Sequence, residues 1–144
     1  MSLFEKLHVD VKIAQQIEEV YSKLLSDYRE LVELLRKARL LELIELYEKY
    51  KNCSVEETWV LNKLKKKYYY YYLKCKDSNT STSTSIYLGK STHNFNLLKR
   101  MGERAVELKN IIDNTRVTLE VLGDYLKQYL TDLHILVNIV TEKK

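Results

Sequence analysis

From Leu98 to Val140, side chains recur at alternating intervals of three and four: Leu98, Met101, Ala105, Leu108, Ile112, Thr115, Leu119, Leu122, Leu126, Tyr129, Leu133, Leu136 and Val140. Twelve of these thirteen positions are apolar, and a 3.5-residue spacing is the a/d seam of a helix packed lengthwise in a left-handed supercoil. No proline interrupts the seam; the chain has none, and only three glycines. A chain without helix breakers and with few turn formers favours long helices joined by short links. Residues 93–142 as one helix would extend about 75 Å at ~1.5 Å per residue. The expected fold class is all-α: an elongated four-helix bundle with left-handed coiled-coil packing and a long C-terminal helix, one domain over residues 1–144.

From Val117 onward the apolar residues spread beyond the seam to Val121, Tyr125, Leu130, Ile135, Val137 and Ile139. A helix apolar nearly all round is buried on several sides. This half is expected either at the centre of an intramolecular bundle or against a partner, including a second copy. Asp124, Lys127, Asp132 and His134 interrupt it short of the ~20 apolar residues of a membrane span.

Ile13, Ile17, Val20 and Leu24 mark an amphipathic helix after Asp10. Asp27 falls on the same stripe, and Ser26-Asp27 with Glu30 resembles a capping box, so a break near 25–27 is expected; one continuous helix is the alternative. A second stripe runs from Tyr28 to Tyr50. Ser54-Val55-Glu56-Glu57 reads as a further capping box. It would open a third helix to about Lys76, with Leu61, Leu64, Tyr68, Tyr71 and Cys75 on its buried side. Such a helix would hold Cys53 and Cys75 about 33 Å apart, and a disulfide needs Cα atoms within about 7 Å. Two free thiols are therefore expected. Residues 77–92, DSNTSTSTSIYLGKST, read as a mobile polar loop, and Thr92 or Asn94 as the cap of the last helix.

Catalytic patterns are weak. Gly89-Lys90-Ser91 resembles the end of a phosphate-binding loop, but Thr84 stands where that motif needs glycine, and no buried strand is expected before it. His8, His93 and His134 lie far apart, and none has a second ligand at metal-binding spacing. The expectation is a non-enzymatic protein with no metal and no cofactor. Glu5, Lys6, His8, Asp10 and Lys12 leave no apolar signal-peptide core, which suggests an intracellular or virion location.

The net charge of +4 is localised. Residues 53–92 carry seven lysines against three acids, whereas the flanking thirds are nearly balanced. Within this stretch, lysines interleave with the run Tyr68–Tyr72. Lys63, Lys65, Lys66, Lys67, Tyr69, Tyr70, Lys74 and Lys76 form the candidate partner-binding set. Ammonium groups meet phosphates and rings stack on bases. The same residues also suit a protein interface, or a helix face turned to solvent.

A proline-free chain rich in Lys, Tyr, Ile, Leu and Asn, with Thr-Ser repeats, looks like the product of an AT-rich genome. With its long C-terminal coiled-coil helix (Leu98–Val140), it resembles the small four-helix coiled-coil proteins of two-tailed archaeal viruses. That resemblance implies a virion structural protein, or an inhibitor of transcription that binds host RNA polymerase in the host cytoplasm. Small helical subunits of CRISPR effector complexes share the size and class. The function expected from sequence is thus non-catalytic macromolecular interaction. The alternative to the viral reading is a nucleic-acid-binding helical accessory subunit that uses the Lys/Tyr-rich segment.

Overall fold

Val55, Thr58, Trp59, Val60 and the tyrosine run are β-branched or aromatic, and such side chains fit a pleated surface better than a helix. In the computed structural model, which describes residues 11–76 and 83–142, they form strands. The described residues comprise helices α1 (Val11–Lys37), α2 (Leu40–Tyr50) and α3 (His93–Glu142), and strands β1 (Ser54–Leu61), β2 (Lys67–Lys76) and β3 (Ser83–Gly89). The strands make one antiparallel sheet in the order β1-β2-β3. The chain is therefore mixed helix and sheet, and the all-α four-helix expectation is overturned.

The third helix is replaced by a hairpin because its residues find better partners across a sheet. Trp59 lies opposite Tyr69 and Val60 opposite Tyr68. Glu56, read above as part of a cap, is paired with Lys74 at 3.0 Å. The expected loop 77–92 is also corrected over Ser83–Gly89, where β3 sets Ile86 opposite Leu73 and Tyr87 opposite Tyr72; residues 77–82 lie outside the described residues. The cysteines reverse as well. Ser54 pairs with Lys74, so Cys53 and Cys75 stand side by side just beyond and within the hairpin, Cα atoms 4.4 Å apart, joined as a disulfide. The helical geometry that kept them apart does not exist.

No break occurs near 25–27. Asp27 is exposed, so α1 carries it without burying a charge, and the chain turns instead at Ala38-Arg39, with Arg39 in the left-handed region (φ 63°).

Contacts divide the chain into two units, with α3 contributing to both. In the first, α1 packs on the C-terminal part of α3. The Tyr21 hydroxyl donates to the Leu119 carbonyl (2.7 Å) and the Tyr28 hydroxyl to the Ile112 carbonyl (2.8 Å). Seven residues forward on α1 match seven backward on α3, so the helices are antiparallel with a heptad repeat. Ala14, Leu119 and Leu130 are buried, and Ile112, Gly123, Leu126, Leu133 and Val137 are half-buried. Ile112, Leu119, Leu126, Leu133 and Leu136 thus keep their places in the expected seam, but Thr115, Leu122 and Tyr129 are exposed. Gly123 and Leu130 take the places of Leu122 and Tyr129, and Val137 is half-buried beside Leu136. A Cβ at Gly123 would collide with the Tyr21 hydroxyl, which accounts for glycine in the seam.

The second unit joins α2, the sheet and the start of α3. Among the described residues of this unit, Leu73, Phe95, Gly102 and Ala105 are buried. Gly102 is required because the Tyr47 side chain occupies the space a Cβ would need. Thr92 immediately precedes α3, its carbonyl accepting from the Asn96 amide at 2.9 Å.

Candidate functional site

Strand β3 pairs only with the stretch Tyr71–Lys76 of β2. From Thr58↔Tyr70 to Leu61↔Lys67 the hairpin continues as a two-stranded ribbon. Opposed residues share a face, and successive residues alternate. One face of the ribbon carries Trp59, Leu61, Lys67 and Tyr69; the other carries Thr58, Val60, Tyr68 and Tyr70. The Lys67 ammonium sits 4.4 Å from the Trp59 ring centroid, a cation–π contact on the first face. On the second, Tyr70 and Tyr72 flank Tyr87 of β3 with ring centroids 6.1 and 5.4 Å away.

The ribbon ends in a turn held by one side chain. Asn62 N donates to the Lys66 carbonyl and Lys65 N to the Asn62 carbonyl, both at 3.0 Å. Asn62 Oδ1 accepts from the amides of Leu64 and Lys66, both at 2.9 Å, and Nδ2 donates to the Tyr68 hydroxyl at 3.0 Å. This is a three-residue hairpin loop whose last residue adopts the left-handed conformation. Lys65 does so with φ 59°, where glycine or asparagine is usual.

The structure divides the eight expected site residues into three groups. Lys63, Lys65, Lys66 and Lys67 gather at the ribbon tip, all exposed. Lys63, Lys65 and Lys66 pair with no carboxylate among the described residues. Tyr69 and Tyr70 lie on opposite faces of the ribbon. Lys74 and Lys76 are at the far end of β2, about 23 and 30 Å from Lys67 at ~3.3 Å per residue, and Lys74 is neutralised by Glu56.

Sequence reasoning missed Trp59, Val60, Leu61 and Leu64. Trp59 is 51% exposed and Leu64, expected on a buried helix face, is 78% exposed at the tip. The signal that would have found them is the β-branched and aromatic enrichment on both sides of Asn62-Lys63-Leu64-Lys65.

The base of the hairpin is fixed by the Cys53–Cys75 disulfide, which closes a separation of 22 residues. There Glu57 lies opposite Tyr71, and its negative charge, ahead of burial and a hydrogen bond, holds the Tyr71 phenol above its ordinary value of 10.0. In the half of the hairpin nearer its base, Glu56 and Glu57 equal Lys74 and Lys76 in number, whereas the tip carries lysines alone. Among the described residues there is no group of three or more metal-ligating side chains, and no helix is long and apolar enough to cross a membrane.

Such a ribbon can do two things chemically: its lysines can displace counterions from phosphates, and its exposed rings can stack on planar groups. The sheet replaces the four-helix layout, which was one support of the viral resemblance beside chain length, composition and the long C-terminal helix, and none of these observations tests the virion or polymerase expectation. No family model, no curated protein and no solved structure matches the chain.

Proposed function

We propose that this protein is a non-catalytic nucleic-acid-binding protein whose two-stranded ribbon is the contacting arm. The observation that carries the reading is the tip, where Lys63, Lys65 and Lys66 stand unpaired among the described residues on a hydrogen-bonded turn. Three adjacent positive charges without acidic neighbours cost a free turn some repulsion, and a polyanion relieves it. Trp59 and Tyr69 add exposed rings beside Lys67. A two-stranded ribbon has the width that the duplex major groove admits.

The test is a salt titration of binding to duplex and single-stranded oligonucleotides. Affinity should fall linearly in a log–log plot. Changing Lys63, Lys65 and Lys66 together to Gln should flatten the duplex slope by about 3, near 0.9 per lost phosphate contact. Trp59→Ala should weaken single-strand binding more than duplex binding, because stacking on bases contributes about 1–3 kcal/mol per ring. A parent slope near zero, or an unchanged slope in the triple variant, would reject the reading.

A further inference from the structure

We infer that the first unit carries a self-association surface, a groove between α1 and the C-terminal part of α3 that takes the same groove of a second copy. Self-association through this groove is independent of the ribbon and does not need nucleic acid.

The groove is lined by Ile13, Ile17, Val20 and Leu24 of α1 with Leu122 and Leu126 of α3; Gln16 and Tyr21 complete it. Its rim is open to solvent: Ile13, Val20, Leu24 and Leu122 are all exposed, Val20 at 68%. The stripe continues at heptad spacing to Leu31 on α1 and to Tyr129 on α3, both also exposed. Each helix thus carries two apolar stripes. The inner one is satisfied within the chain, where Tyr21 and Tyr28 reach α3 carbonyls. The outer one has the same 3.5-residue repeat and no cover among the described residues.

Core size, exposed area and charge balance together favour a second copy as the occupant. Two helices cannot enclose a core by themselves, and the described interior of this unit contains only Ala14, Leu119 and Leu130 as buried residues. Four helices packed through a/d positions can do so. Six large apolar side chains, Ile13, Val20, Leu24, Leu31, Leu122 and Tyr129, are exposed along this one face, and a stable interface needs a contiguous patch of about 800 Å² per partner. The charges also permit self-pairing. Helix α1 carries five basic residues (Lys12, Lys23, Arg29, Arg36, Lys37) and five acidic ones (Glu18, Glu19, Asp27, Glu30, Glu33), interspersed along its length. An isologous contact between identical, balanced faces brings no block of like charge together, whereas a strongly charged partner would find no complement there.

Sedimentation equilibrium of the full chain tests this. The parent should show a species of twice the 17.2 kDa chain mass, with a melting temperature that rises with concentration. Val20→Glu with Leu24→Glu should weaken association at least about a hundredfold. Both side chains are exposed in the single chain, so helical circular dichroism should be kept. Leu122→Glu, on the other wall, should act in the same direction. Binding of the parent to oligonucleotides at concentrations below the dimer dissociation constant separates this proposal from the ribbon reading. A parent that stays at 17.2 kDa at 100-fold higher concentration than the assay of binding, or a dimer indifferent to Val20→Glu/Leu24→Glu, would overturn it.

Discussion

The Tyr21 hydroxyl donates to the backbone carbonyl of Leu119 at 2.7 Å, joining residues 98 apart in sequence. The ring reaches that carbonyl by crossing α3 above Gly123, where any Cβ would meet the phenol oxygen. One tyrosine and one glycine therefore set the register of the helix pair. Tyr28 repeats the arrangement one heptad on, at Ile112.

Gly123→Ala should destabilise the protein by about 1–3 kcal/mol, the usual range for overpacking. The gain in helix propensity, near 1 kcal/mol for Gly to Ala, acts in the opposite direction and is the smaller effect. Tyr21→Phe should cost about 1 kcal/mol through the lost hydrogen bond. In the Tyr21→Phe background the cost of Gly123→Ala should shrink, because the hydroxyl is the nearest obstacle. Denaturant midpoints for the four proteins measure this coupling, and strict additivity would reject the assigned contact.

Reducing the Cys53–Cys75 disulfide, or changing both cysteines to Ser, should cost about 3 kcal/mol for a loop of this length. The loss should fall on the hairpin, since the bond closes its base. Thermal unfolding with and without reductant reads the effect. Thiol titration of the native protein should find no free cysteine; two reactive thiols would refute the pairing.

Lys65→Gly should stabilise the ribbon tip by roughly 0.5–1 kcal/mol. Lys65 holds φ 59°, a region that costs residues with a Cβ about 1 kcal/mol and glycine almost nothing. The turn's hydrogen bonds use backbone atoms at this position and survive the change. Asn62→Ala should do the reverse, by about 1–2 kcal/mol, because it removes the acceptor of two amides. Amide exchange at Leu64 and Lys66 distinguishes the two variants.

Tyr71 should ionise at higher pH than an ordinary tyrosine because Glu57 is already negative beside it. The sign follows from linkage: a raised folded-state pKa contributes stability that is fully present below the ordinary value of 10.0 and is lost as pH rises through the raised value. Glu57→Gln should move the Tyr71 titration downward, as read by its ring carbon chemical shift. An unchanged titration would show that the two groups do not interact.

Leu122→Ala and Leu126→Ala separate what periodicity reveals from what packing decides. Both positions lie on the repeat that runs from Leu98 to Val140, yet Leu126 is half-buried and Leu122 exposed in the chain. The sequence alone determined that a long amphipathic helix occupies the last third. Its hydrogen bonds close within four residues, and its apolar repeat is local. It also determined where the positive charge lies, because charge needs no partner to be counted. Tertiary structure decided which stripe of α3 meets α1, since that depends on Tyr21 and Gly123 arriving together from positions 102 residues apart. It also decided that residues 54–76 form a hairpin. Strand pairing sets Ser54 opposite Lys74 and Leu61 opposite Lys67; the same residues also match a capping box and a helical spacing, and only the cross-strand partners decide between the two patterns. With the hairpin came the disulfide and the separation of eight candidate residues into a basic tip, an aromatic ribbon and a charge-balanced base. The chemistry of those residues was legible in sequence, and their grouping was a consequence of strand pairing.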